Sequence, residues 1–286
     1  MKLQKIINRL QKLHPKEIDL SLDRIKNLCE KLGNPQDEIN CIQVCGTNGK
    51  GSTISFLRSI LKEADIKCNI YTSPHVQHIN ERFIYNDEMI SDDDLSNLLN
   101  EIEEINNGQP LTYFEALTAA FFQGCKKFKE NLVIAEFGLF GRGDAVNILK
   151  KNLCNIVTSC SEDHLDWLPK NDRNIERIIF EKTSSLLDSN IVVAKQTSDE
   201  ITECIKKNIS NNSANKYYFN ENYNFVLKEN NFFYYEDNYG GLKIPKPNLN
   251  GQFQLENAST AIATLRVLKN LKIKDQHIIE GIPKAS

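Results

Sequence analysis

The chain has 286 residues, 40% of them apolar and 26% charged, enough to bury a large core. Its net charge of −3 carries no polyelectrolyte signature for nucleic acid. No apolar run approaches the ~18 residues that span a bilayer, and MKLQKIINRL at the N-terminus is amphipathic, without the apolar stretch of a signal peptide.

Apolar residues at 3, 6, 7, 10 and 13 predict a helix over 1–13. Those at 22, 25, 28 and 32 predict a second over 22–32, stopped by Gly33-Asn34-Pro35. Residues 39–45 read as a strand running into GTNGKGS (46–52). Ile54, Leu57, Ile60 and Leu61 then recur at helix spacing to about Ala64. Strand, glycine-rich turn and helix, in that order, form the context of a phosphate-binding loop. Its glycines let the backbone turn sharply and approach a ligand, while its N–H groups and the helix N-terminus face an anion. Thr47, Asn48, Gly49, Lys50, Gly51 and Ser52 are therefore the candidate nucleotide residues. Lys50 supplies a point charge, and the Ser52 hydroxyl suits a bound Mg²⁺. The spacing is not that of an ordinary P-loop, because Gly51 separates Lys50 from Ser52.

A strand over 67–71 ends in Thr72-Ser73-Pro74-His75. Residues 76–91 read as loop with a hairpin around Asn86-Asp87. Ser91 caps a helix whose first turn holds Asp92, Asp93 and Asp94, and Asn107-Gly108 ends it. A helix covers 112–129. Strands follow at 132–135, ending at Glu136, and at 152–158, ending near Asp163-His164. A helix spans 174–187 and a strand 191–194. Beyond about 210 the texture becomes aromatic and β-rich. Segments 216–220, 225–228 and 232–236 read as antiparallel hairpins at one edge. The Asn-rich stretch 207–215 reads as loop, 253–268 as a helix, and Ile279 opens a short final element.

Alternating strands and helices predict an α/β fold with a mostly parallel sheet flanked by helices and a small antiparallel β edge. Ligands in such sheets gather at the carboxyl ends of strands, where Ser73, Glu136 and His164 fall. The eight cysteines show no CxxC pair, which predicts reduced, mostly buried thiols in a cytoplasmic protein.

DLSLDRIKNLCEKLGNPQ (19–36), followed by IQVCGTNGKGS (42–52), resembles the folylpolyglutamate synthase/dihydrofolate synthase family of the Mur ligase superfamily. The resemblance continues in order through YTSPH (71–75) with Glu81-Arg82, LTYFEALT (111–118) and EFGLFGRGDAVN (136–147). It then runs through Thr158-Ser159 with Asp163-His164, Glu181-Lys182, and Leu249-Asn250-Gly251 with Glu256-Asn257-Ala258. This covers nearly the whole chain.

The resemblance implies a P-loop-containing, Mur-ligase-like central domain and ATP-dependent amide formation. A carboxylate on dihydropteroate or a folate would attack the γ-phosphate, and the amine of L-glutamate would displace phosphate from the acyl phosphate. It implies Lys50 on the β/γ-phosphates and Asn257 on the adenine. Ser52, Ser73, Glu136 and His164 become ligands of two Mg²⁺ ions, with K⁺ as a further cation. Lys182 becomes a carbamylated lysine, which requires a neutral amine and so a depressed pKa. The pterin end maps to Glu17, Ile18, Asp19 and Leu20, to Thr112, Tyr113, Phe114 and Glu115, and to Gly143, Asp144 and Ala145. Phe114 offers a ring for stacking and Asp144 an acceptor for N–H donors. Taken singly, each residue has a blander reading: Ser73 a turn, His164 a hydrogen-bonded histidine, Lys182 a solvated lysine, Phe114 a core ring, Asn257 a surface amide.

Six places depart from the family pattern. Phe140 stands for glycine, Gly143 for a larger residue, and Val146 for threonine. Thr183-Ser184 stand for Ala-Gly, and Phe253 and Gln43 for histidines. The expected organisation is one ATP-binding domain: N-terminal helices over 1–38, a parallel α/β core over 39–210, then hairpins and closing helices over 211–286. The family's C-terminal glutamate-ligase domain is expected to be missing, and a monomer is expected. A Mur-type ligase for another carboxylate and a non-catalytic nucleotide-binding protein are the competing readings.

Overall fold

Local capping chemistry sets several helix boundaries in the computed structural model, which describes residues 2–16, 19–229 and 231–286. The predicted Glu17 and Ile18 lie outside the described residues. In chain order the described elements begin with α1 (Lys2–Leu10), α2 (Asp23–Lys31), β1 (Asn40–Cys45), α3 (Lys50–Glu63) and β2 (Cys68–Tyr71). Next come β3 (Phe83–Tyr85), β4 (Glu88–Met89), α4 (Asp92–Asn106), α5 (Tyr113–Cys125), β5 (Leu132–Glu136), β6 (Cys154–Val157) and α6 (Ile175–Thr183). The rest are β7 (Asn190–Val193), α7 (Asp199–Asn208), β8 (Lys216–Tyr218), β9 (Tyr223–Glu229), β10 (Phe232–Asp237), β11 (Gly240–Pro245), α8 (Phe253–Val267) and α9 (Asp275–Gly281).

Ser91 Oγ accepts the Asp94 N–H and opens α4, while Asn107, in the left-handed region, closes it. Thr112 and Glu115 form a reciprocal capping box at the start of α5. Asn86 and Asp87 carry φ of 53° and 67°, the conformation a two-residue hairpin turn demands, so β3 and β4 pair as the sequence predicts.

The chain divides into two compact units. Unit one comprises the residues up to Asn40 and Cys68–Lys150. Here β2 runs parallel to β5 with Tyr71 opposite Ala135, and β3 is antiparallel to β2. Tyr71, Phe83, Phe121 and Phe122 are fully buried, and the Tyr71 and Phe121 rings stack at 5.0 Å. Helix α1 packs on α4, and α2 and α4 on α5.

Unit two comprises Cys41–Lys67 and Lys151–Ser286. Strands β1, β6, β7 and β8 lie side by side, all parallel. Helix α3 packs on α8 and α9, and α6 on α7. Strands β9, β10 and β11 form a separate antiparallel sheet with Phe233 and Tyr235 buried. Arg266 of α8, its side chain 8% exposed, donates to Asp237 at 2.8 Å and to Asp275 at 2.7 Å and so ties three elements together. Among the described residues, no helix is long and apolar enough to cross a membrane.

The α/β class, the parallel strands and the small antiparallel sheet are those predicted. The segment at 216–220 is a correction. It is not part of an antiparallel hairpin: β8 pairs parallel with β7, placing Lys216 opposite Ile191. A parallel pairing requires a crossover, and α7 supplies it. Its sequence DEITECIKKN buries only Ile205, too narrow a stripe to announce a helix. The third strand of the small sheet, β11, was also not predicted. Helix α6 stops at Thr183 rather than 187.

Candidate functional site

In unit two the glycine-rich loop expected to hold phosphate leaves β1 at Gly46. The Thr158 N–H and Oγ1 both bond the Cys45 carbonyl, at 2.8 and 3.0 Å. A Cβ at Gly46 would lie 2.1 Å from Thr158 Oγ1, and its φ is +128°, so only glycine fits. The Thr47 and Asn48 N–H groups donate to Ser159 O at 2.9 and 3.0 Å. These bonds seat the loop on the segment following β6. Gly49, at φ +87°, is the N-cap of α3 and supplies no capping side chain. No side chain caps the start of α3, and the N-terminal end of a helix suits an anion.

Two lysines address this loop. Lys50 Nζ donates to the Gly46 and Thr47 carbonyls, both at 3.2 Å. Lys182 Nζ donates to the Gly46 carbonyl at 3.0 Å. Lys182 is 3% exposed, not a solvated helix residue. Burial holds its pKa below the ordinary lysine value, and the nearby Lys50 charge pushes the same way. Asn257 is likewise no surface amide. It is buried, with its Oδ1 against Gly49, where a Cβ would come within 2.4 Å. Gly51 has nothing within 4 Å of a Cβ position, and Ser52 lies in the same first turn. His164, in the left-handed region, has Nε2 3.2 Å from Asp163 Oδ2, and its side chain is 40% exposed.

In unit one the parallel register of β2 and β5 sets Ser73 beside Glu136. The Ser73 N–H donates to Glu136 Oε2 at 3.1 Å. Glu136 is 5% exposed, and Ser73 Oγ is buried with no hydrogen-bond partner. A buried carboxylate and an unpartnered hydroxyl are hard oxygen donors and fit a divalent cation. Among the described residues there is no cluster of three or more His, Cys, Asp or Glu that could hold a metal alone. The adjoining loop is braced by Glu81, whose carboxylate accepts the N–H groups of Val76, Gln77 and His78. Those bonds hold Glu81 below the usual carboxylate range.

The three segments that the resemblance assigns to a pterin also meet within unit one. Arg24 donates to Asp19 Oδ2 at 3.1 Å, to Asp19 O at 2.6 Å and to Glu115 Oε2 at 3.0 Å. Gly143 packs on Leu20, where a Cβ would come within 2.8 Å. The half-buried Phe114 packs on Gly138, with its ring 6.0 Å from that of Tyr71. Asp144 is 2% exposed and its carboxylate accepts the N–H groups of Gly138, Leu139 and Val146. It organises its own loop first. Thr112 and Ala145 are buried and Tyr113 is half-buried. Arg24 was not predicted as a site residue, although it lies inside DLSLDRIKN. Its Glu115 partner is 91 residues away, so no local pattern marked it.

The Mur ligase middle domain family matches residues 44–265. The chain is 35% identical over 201 residues to the dihydrofolate synthase/folylpolyglutamate synthase of Bacillus subtilis, covering 68% of this chain and 46% of that protein. The chain belongs to the folylpolyglutamate synthase/dihydrofolate synthase family of Mur ligases. It is similar to the structure of Escherichia coli FolC in complex with DHPP and ADP, with a TM-score of 0.88 and 31% identity over 99% of this chain and 66% of that one. It is also similar to the Yersinia pestis bifunctional enzyme complexed with AMPPNP and Mn ion, with a TM-score of 0.87 and 30% identity over 99% and 66%. The chain thus spans from under half to about two thirds of the length of these relatives.

Several of the departures from the family are absorbed by the core. Gln43 is buried and accepts from Asn152 Nδ2 at 2.7 Å. Thr183 is buried and its hydroxyl bonds Ile179 O. Phe140 is 2% exposed yet has φ of 58°, in the left-handed region that favours glycine. Phe253 is 58% exposed, with its ring against Gly251.

Proposed function

We propose that this chain is the ATP-binding part of a ligase that adds L-glutamate to a folate and to dihydropteroate through an acyl phosphate. The observation that carries the proposal is the phosphate loop of unit two. It has an uncapped helix start, and Lys50 and Lys182 both bond the Gly46 carbonyl. The relatives' names and their bound ADP, AMPPNP, Mn ion and DHPP support the same reading.

Lys50 and the first-turn N–H groups of α3 hold the β- and γ-phosphates and offset the charge that develops on transfer. The substrate carboxylate attacks the γ-phosphorus, the bond to the β-bridging oxygen breaks, and ADP leaves. The glutamate amine then attacks the acyl carbon, phosphate departs, and the amine proton passes to solvent. Asn257 reads the adenine. In unit one, Asp19, Leu20, Thr112, Tyr113, Phe114, Glu115, Gly143, Asp144 and Ala145 bind the pterin end. Ser52 and His164 in unit two, and Ser73 and Glu136 in unit one, are the proposed cation ligands. Bound Mg²⁺ would neutralise phosphate oxygens. Two Mg²⁺ ions and a K⁺ are the cations expected of the family. Lys182, carbamylated once its amine is neutral, would exchange a cation for an anion beside the loop. Eight free cysteines, seven of them buried, support a cytoplasmic protein, and a monomer is the family expectation. Burial pushes the Cys160 thiol up to about 11, which keeps it protonated.

The test mixes the chain with ATP, Mg²⁺, L-glutamate and either dihydropteroate or tetrahydrofolate, and follows ADP release. Release that requires both acceptor and glutamate is the expected outcome. Nucleotide binding without turnover, persisting after the chain is extended to the relatives' length, would leave a non-catalytic nucleotide-binding protein. Phe140, at a backbone position suited to glycine close to Glu136, is the feature that favours this second reading.

A further inference from the structure

Gln254 lies in the first turn of α8 and is 7% exposed. Its Nε2 donates to Ser52 Oγ at 3.2 Å, across 202 residues. Its Oε1 accepts from Asn257 Nδ2 at 3.0 Å. These two bonds fix which way the amide faces. A flipped amide would set nitrogen against nitrogen at Asn257. Asn257 Oδ1 lies against Gly49, so Gly49, Asn257, Gln254 and Ser52 form a continuous chain between the starts of α3 and α8. Within it, the Ser52 hydroxyl receives a hydrogen bond on one lone pair. Its second lone pair and its hydrogen are restricted to the remaining directions.

A serine hydroxyl that ligates a cation must present a lone pair and turn its hydrogen away. A free hydroxyl rotates and meets that condition only part of the time. We propose that Gln254 is a positioning residue that holds the Ser52 hydroxyl in the rotamer and orientation needed for a divalent cation on a bound nucleotide. This rests on the nucleotide reading of the loop. As a positioning residue, Gln254 touches neither phosphate nor cation. Its effect therefore falls on the cation-dependent part of nucleotide affinity and passes through Ser52.

The experiment measures the dissociation constant of a non-hydrolysable ATP analogue by calorimetry, once with Mg²⁺ and once with EDTA. It compares the unaltered chain, Gln254→Leu, Ser52→Ala and the double variant. Loss of one hydrogen bond of this kind corresponds to roughly a five- to tenfold change. Gln254→Leu is expected to weaken binding about that much with Mg²⁺ and less than about twofold with EDTA. On the Ser52→Ala background it should add nothing. Gln254→Met serves as a second variant if the leucine form melts early. Equal weakening with and without Mg²⁺, or an undiminished effect on the Ser52→Ala background, would overturn the inference. If the unaltered chain binds the analogue in neither condition, the nucleotide reading falls and takes this inference with it.

Discussion

The Lys182 ammonium donates to the Gly46 carbonyl at 3.0 Å, linking α6 to the mouth of the phosphate loop across 136 residues. The bond places a buried amine, with a pKa below the ordinary lysine value, against the loop. Lys182→Met should weaken nucleotide binding at least about fivefold through loss of this brace. It should also change the pH dependence of stability. An unfolded lysine binds its proton more tightly than the buried one. Stability therefore rises with pH between the depressed folded pKa and the ordinary value near ~10.4. Melting curves across that range should show the rise in the unaltered chain and lose it in Lys182→Met. If the amine is carbamylated, carbon-labelled bicarbonate should give a carbamate carbon signal in NMR spectra that Lys182→Met abolishes.

Two glycines of the loop should respond in opposite ways. Gly46→Ala forces a Cβ into Thr158 at a φ of +128° and should cost about 3 kcal/mol or more of stability. Gly51→Ala meets nothing within 4 Å and sits in a helix, so it should stabilise the chain by about 0.5 to 1 kcal/mol. The same Gly51→Ala should lower nucleotide affinity if the open space over Gly51 is where the phosphates lie. Denaturant melts and a binding titration on both variants make the comparison.

In unit one Arg24 joins Asp19 to Glu115, two of the residues proposed for the pterin end. Its partner Glu115 has a side chain only 4% exposed. Arg24→Met leaves that carboxylate uncompensated and should cost about 3–5 kcal/mol. Adding Glu115→Gln should recover part of the loss, because the glutamine oxygen can still accept the Thr112 N–H that Glu115 Oε2 holds at 2.7 Å. A double-mutant cycle by chemical denaturation measures the coupling. A coupling near zero would mean that the two side chains do not depend on each other.

Phe140 offers an inversion of the usual rank of glycine and alanine. Removing the buried ring should cost about 3–5 kcal/mol. At φ of 58°, however, any Cβ is strained by about 1–2 kcal/mol. Phe140→Gly should therefore be more stable than Phe140→Ala by about 1 kcal/mol. Side-by-side thermal melts decide it, and the reverse order would show that residue 140 does not hold a left-handed backbone.

Local chemistry, which a sequence states directly, determined much of this protein. Ser91 and Thr112 begin helices because each caps an N–H three residues on. Asn86-Asp87 turns a hairpin because both residues tolerate positive φ. The apolar runs of β2, β5 and β6 are buried strands because nothing polar interrupts them, apart from asparagines whose amides bond inside the core. The glycine spacing in GTNGKGS marked the turn from strand to helix that joins β1 to α3. Tertiary structure decided what depended on partners far away in the chain. Strand β8 is parallel to β7 because α7 crosses over, although α7 itself carries too little apolar surface to be read. Lys182 and Asn257 look like solvated helix residues until α6 and α8 pack and bury them. Arg24 joins Asp19 to Glu115 only when α5 brings Glu115 to it. Periodicity records which face of an element is buried, but not which distant side chain that face will meet.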